Sequence, residues 1–104
     1  MELTVYWTQF AEDKLEDIFT YYSDKASLRI AQKLINEIID KSIELEKNPL
    51  IGQKEILLAD RIQEFRYLVY KNYKIIYWVN FGKKRIEIIN VFDCRQNPQK
   101  INEI

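Results

Sequence analysis

Tyr73-Lys74-Ile75-Ile76-Tyr77-Trp78-Val79-Asn80 is the stretch on which the fold turns. Strand side chains alternate between two faces, and here both alternations are apolar or aromatic: Tyr73, Ile75, Tyr77 and Val79 on one, Ile76 and Trp78 with Lys74 on the other. Working outward, Arg61 to Tyr70 and Arg85 to Phe92 are equally rich in Ile, Val, Tyr and Phe. Lys71-Asn72 separates the first pair at two-residue hairpin spacing, with Asn72 the residue expected at positive φ. Phe81-Gly82-Lys83-Lys84 separates the second pair, so consecutive antiparallel hairpins are predicted over 61–92.

Toward the N-terminus the period changes. Leu3-Thr4-Val5-Tyr6-Trp7 reads as a short strand, and Thr8 can cap a helix in which Ala11, Leu15, Ile18, Phe19 and Tyr22 recur at helical spacing, ending near Tyr22. After the polar turn 23–27, Ser27 caps a second helix with the stripe Ala31, Leu34, Ile35, Ile38, Ile39, Ser42 and Leu45. So short a turn makes an antiparallel helical hairpin. Asn48-Pro49-Leu50-Ile51-Gly52 stops it, because proline disfavours helix in the residue before it and glycine admits positive φ; 48–60 is then a connecting loop. The expected architecture is α+β: an N-terminal strand and a two-helix antiparallel hairpin packed on a mainly antiparallel four-stranded sheet. Two helices cover one sheet face, which leaves an aromatic face open. The tail 96–104 is one candidate cover, and a partner chain is the expected one.

A chain of 104 residues, 47% apolar and 31% charged with two Gly and two Pro, fits one compact domain over 1–104 and excludes multi-domain and disordered readings. Its 16 Lys/Arg balance 16 Asp/Glu, yet residues 1–60 hold 7 basic against 12 acidic side chains and residues 61–104 hold 9 against 4. An anionic partner is therefore sought on the second half. The absence of His removes imidazole bases, Ser-His and Cys-His nucleophiles and histidine metal ligands together. A single Cys94 makes no internal disulfide, and no charged segment followed by an apolar one opens the chain, so a reducing cytoplasm is expected. The longest apolar runs fall far short of the roughly 20 residues that span a bilayer.

Among candidate site residues, Arg66, Lys71, Lys74, Lys83, Lys84, Arg85 and Arg95 lie among Tyr67, Tyr70, Tyr73, Tyr77 and Trp78, the mixture of cations and rings that binds single-stranded nucleic acid. Lys83-Lys84-Arg85 reads more simply as a solvated turn. Arg66 and Lys74 stand out because apolar strand residues flank them. Cys94 beside Arg95 is either an activated thiol or, as is commoner at a strand end, an inert one. Glu12, Asp13, Glu16 and Asp17 spread around their helix as a solvated acidic face rather than a metal site, and no cofactor is expected. Asn97-Pro98 fits the cap and first position of a short terminal turn, with Gln96 a polar contact.

Taken in order, Trp7, the run Phe10-Ala11-Glu12-Asp13-Lys14-Leu15-Glu16-Asp17-Ile18 with Tyr21-Tyr22, Ala31, Asn48-Pro49-Leu50-Ile51-Gly52, Tyr73-Lys74-Ile75-Ile76-Tyr77 and Ile88-Ile89-Asn90-Val91-Phe92-Asp93-Cys94-Arg95-Gln96-Asn97-Pro98 resemble the RelE/ParE toxins of type II toxin-antitoxin systems. The resemblance implies a small toxin neutralised by a labile antitoxin whose C-terminal segment wraps it, which would cover the open sheet face. It implies one of two targets. RelE-like members cut mRNA in the ribosomal A site without metal; ParE-like members poison DNA gyrase. In the first case Arg66, Lys74 and Arg95 are the catalytic candidates, expected to form one basic patch on the scissile phosphate. Lys74 stands where the family usually has Arg, keeping the charge and losing the bidentate fork. The tail after Arg95 holds neither Tyr nor His, so a general base would be a Lys or Tyr with an ordinary pKa of about 10. The long helical hairpin is similar to ParE. The resemblance thus favours a gyrase inhibitor, with the ribosome-dependent endoribonuclease and a non-toxic antitoxin-binding module as alternatives.

Overall fold

The computed structural model describes residues 2–103. Its elements are β1 (Thr4–Trp7), α1 (Gln9–Lys25), α2 (Leu28–Ile43), β2 (Gln53–Lys54), β3 (Arg66–Tyr70), β4 (Tyr73–Asn80) and β5 (Arg85–Asp93), with 3-10 turns at Glu44–Glu46, Ile56–Leu58 and Pro98–Glu103. The sheet has five strands, not four, in the order β1-β5-β4-β3-β2. β1 lies parallel to β5, and the other pairs are antiparallel. A helical hairpin between β1 and the rest of the sheet is long enough to permit a parallel placement, which a tight turn is not. The added strand β2 arises inside the expected loop, where Gln53 and Lys54 pair with Tyr67 and Arg66.

Local signals explain most boundaries. The Thr8 hydroxyl accepts from the Ala11 amide at 3.3 Å and donates to the Ile88 carbonyl at 3.0 Å, so one side chain caps α1 and ties it to β5. Ser27 caps α2 through the Ile30 amide. α1 runs three residues past Tyr22, because the Ser23 hydroxyl donates back to the Phe19 carbonyl at 2.7 Å and is accommodated within the helix. The β3–β4 turn places Lys71 at φ 53, and Asn72, expected there, instead donates its side-chain amide to Asp93. Gly52 does not adopt positive φ either. It is required by close approach, since a Cβ there would lie 2.5 Å from the Tyr77 hydroxyl and 2.8 Å from the Tyr67 carbonyl. The strand expected from Arg61 begins only at Arg66, because the Arg61 amide still bonds the Leu58 carbonyl, 61–63 form a bend, and Phe65 packs into the outer cluster.

The sheet separates two apolar clusters. On the inner face Ala11, Leu34, Ile38 and Leu45 pack with Tyr73, Ile75, Tyr77, Ile86 and Ile88. On the outer face Leu58, Phe65, Ile76, Phe92 and Ile101 form a second cluster, bordered by Tyr67, Trp78 and Ile89. Part of the face for which a partner chain is the expected cover is covered by the chain itself. The chain folds its own 56–65 loop and terminal turn over the Lys74 end, burying Ile101 completely, a contribution of about 2 kcal/mol. Asn97 opens that turn by accepting from the Gln99 amide, while Ile104, the tail's last residue, lies outside the described residues.

Candidate functional site

Cross-strand neighbours share a sheet face, so the register decides where the candidate cations point. Arg66 opposes Tyr77 and therefore lies on the inner side; Lys74 opposes Val69 and Phe92 and lies on the outer side. Three residues of β4 separate their levels, about 10 Å along the strand. Arg66 donates to the carbonyls of Gly52 at 2.8 Å and Leu50 at 3.2 Å and pairs with Glu64 at 2.8 Å. Gly52 in turn donates its amide to the Tyr77 hydroxyl at 2.9 Å, so Arg66 and Tyr77 together pin the 50–52 segment to the sheet. Burial pushes the Tyr77 phenol above its ordinary pKa, which keeps it a neutral partner for that amide.

Lys74 meets a residue that the sequence did not single out. Glu55 has a side chain only 1% exposed and accepts from Lys74 Nζ at 2.7 Å. Its other oxygen accepts from the Leu57 amide at 3.1 Å, and its own amide donates to the Phe65 carbonyl at 2.8 Å. The ammonium also stands 4.3 Å above the Tyr67 ring centroid. This pair fastens the 55–65 loop over the outer face. Its only sequence signal was a lone acid ahead of the apolar run Ile56-Leu57-Leu58.

Arg95 sits elsewhere again, at the mouth of a cleft of about 360 Å3 between α1 and the end of β5, with Lys14, Asp17, Tyr21 and Tyr73 on its walls. Its guanidinium engages Asp93 in a fork, Nε to Oδ1 at 3.0 Å and Nη2 to Oδ2 at 2.8 Å. Those bonds hold the Asp93 carboxyl down at about 2 and raise Arg95 further above its ordinary value. Burial raises the Tyr73 phenol, and the neighbouring Tyr22 hydroxyl adds to it, so this is no ready proton acceptor near neutral pH. Cys94 is free and exposed, and desolvation raises its thiol against the pull of Lys74.

The expected single basic patch is therefore not formed: Arg66, Lys74 and Arg95 occupy separate places on two faces, each neutralised by its own carboxylate. Glu12, Asp13, Glu16 and Asp17 are all solvent-exposed, and among the described residues no three His, Cys, Asp or Glu side chains come together as a metal site. No helix among them is long and apolar enough to cross a membrane.

Residues 5–98 match the sequence model of a family described as the ParE toxin of type II toxin-antitoxin system, parDE. The chain belongs to the ParE toxin family. Among solved structures it is similar to a chain from the chromosomal ParDE TA system of P. aeruginosa, with a TM-score of 0.73 over 88% of this chain and 96% of that one. At 18% identity that likeness is one of fold. No curated protein sequence matches the chain. Within the ParE frame, sequence reasoning located Lys74, Arg66 and Arg95 correctly at strands or strand ends. It missed their carboxylate partners Glu55, Glu64 and Asp93, and it set aside Arg85, which the structure stacks on Tyr6 with its Cζ 3.9 Å from the ring centroid.

Proposed function

We propose that this ParE family member is the toxin of a type II toxin-antitoxin pair, that a cognate antitoxin neutralises it in the cytoplasm, and that it arrests growth by binding DNA gyrase rather than by cutting RNA. The observation that carries this reading is the separation of the candidate cations. An RNA-cleaving site without imidazole or metal needs several cations converging on one phosphate. Here Lys74 and Arg66 point to opposite faces, and each is tied to a carboxylate. A protein that works by contact needs no such convergence. An antitoxin partner agrees with the aliphatic side chains left in water by the free chain, above all Ile56 at 80% and Ile62 at 101% exposure.

The endoribonuclease reading has one observation in its favour, the carboxylate of Glu55 held 2.7 Å from an ammonium on a sheet face, a pairing of the kind acid-base chemistry uses. Against it, that carboxylate is buried beneath its own loop. Pulse labelling of new DNA and new protein minutes after induction of the chain alone separates the readings. Early loss of DNA synthesis with translation intact is expected; early collapse of translation would transfer the case to the nuclease.

A further inference from the structure

Among the described residues, the terminal turn and the 56–65 loop cover only the Lys74 end of the outer face. At the other end Thr4 and Asn80 oppose Arg85, while Tyr6 and Trp78 oppose Glu87, so these side chains share the outer face and lie beyond that cover. Tyr6 is 42% exposed and Trp78 half-buried. We propose that this open end, centred on Arg85 and flanked by Lys83 and Lys84, docks an acidic segment of the protein target through its carboxylates. The inference rests on the reading that the chain acts by protein contact.

Arg85 carries the argument. Its guanidinium is held flat by the Tyr6 ring, yet its donors are hardly used. Nε is buried with no acceptor among the described residues, and Nη2 lies 3.5 Å from Glu87, longer than a good hydrogen bond. The competing Oε2 of Glu87 is taken by the Asn80 side-chain amide at 2.6 Å. The guanidinium, on a side chain 30% exposed, is thus positioned in advance with donor capacity left for a carboxylate. Beside it, Lys83 and Lys84 are exposed and unpaired with any carboxylate among the described residues. Their mount is fixed, because Lys83 donates its amide to Asn80 Oδ1 at 3.1 Å and the Lys84 carbonyl accepts from the Thr4 amide at 3.2 Å. Phe81, 56% exposed on the same turn, offers an apolar anchor. Arg, Trp and Tyr around one open spot is the composition of an interface hot spot.

The same cations would attract nucleic acid, but the rings argue for protein. One face of Tyr6 already carries the guanidinium and Trp78 packs against the buried cluster, which leaves Phe81 as the one largely exposed ring among the described residues of this turn, short of the row of platforms on which successive bases stack. The chain as a whole is neutral, and its acidic half would repel a long polyanion more than a short acidic peptide.

The test is inhibition of purified gyrase supercoiling by the full chain. It compares wild type with Lys83→Glu/Lys84→Glu, Arg85→Ala and, as a control of equal charge change at the two helix ends that flank the α1–α2 turn, Lys25→Glu/Arg29→Glu, all checked by thermal melting. The lysine pair is exposed, so its reversal keeps the test valid even if Arg85→Ala disturbs folding. Both sets of outer-face variants are expected to need about tenfold more protein for half-inhibition, the control within about twofold of wild type, with wild-type potency falling as salt rises. Full potency in the folded lysine variant would overturn the surface and leave the contact reading standing. No inhibition by wild type would overturn both. Binding of a fluorescent single-stranded oligonucleotide that the same variants abolish would assign the surface to phosphate and overturn the proposal.

Discussion

Lys74→Met should cost far more stability than a surface lysine does, and the structure sets the scale. Among the described residues its ammonium is the sole cation on Glu55, whose side chain is 1% exposed and whose salt-bridge distance is 2.7 Å. Removing it strands a buried carboxylate, a loss of about 3 kcal/mol, at the lower end for buried pairs because Lys74 itself is 21% exposed. For a domain of this size that is a fall in Tm of about 15 °C. Replacing both partners by apolar groups, Lys74→Met with Glu55→Leu, removes the stranded charge and should restore most of the loss, leaving the double variant within about 1 kcal/mol of wild type apart from the Leu57 amide that Glu55 served. Urea melts of the four proteins in a double-mutant cycle give the coupling directly. A single variant within about 0.5 kcal/mol of wild type would refute the tether, because that is the behaviour of an exposed pair.

Three further outcomes follow from the same contacts. Ile101→Ala should lose about 2–4 kcal/mol in denaturant melts, since Ile101 is fully buried in the outer cluster and fastens the terminal turn; an unchanged midpoint would mean the turn does not cover the sheet. Gly52→Ala should destabilise by about 2 kcal/mol or more, as its methyl meets the Tyr77 hydroxyl and a strand carbonyl, and thermal melting checks it. For Asp93 the folded pKa, about 2, lies below the ordinary 3.8, so its contribution is present above pH 4 and is lost as pH falls through the folded value. Solvent screening limits that contribution to about 1 kcal/mol, because the Arg95 side chain is 60% exposed. Carboxyl NMR titration of Arg95→Ala should show the Asp93 pKa moving back up.

The parts of the fold written in local chemistry were legible. Thr8 and Ser27 cap the helices as their positions imply, and the stripe from Ala31 to Leu45 faces the sheet as its spacing implies. What escaped depended on contacts between distant segments. β2 is two residues long and exists only because Tyr67 and Arg66 lie beside it. The parallel pairing of β1 with β5 joins residues about 80 positions apart, which no local period encodes. The same holds for the candidate site. Arg66 and Lys74 were visible as cations among apolar strand residues, but the face each occupies follows from register, and Glu55 belongs to a loop until the fold lowers it onto Lys74.

The most direct measurement of the central claim, that this ParE family member acts by contact and not by cleavage at Lys74, is pulse labelling of DNA and protein synthesis on induction of the folded Lys74→Met/Glu55→Leu variant beside wild type. Both are expected to halt DNA synthesis first and to the same extent. Collapse of translation by wild type, abolished in the folded double variant, would contradict that claim.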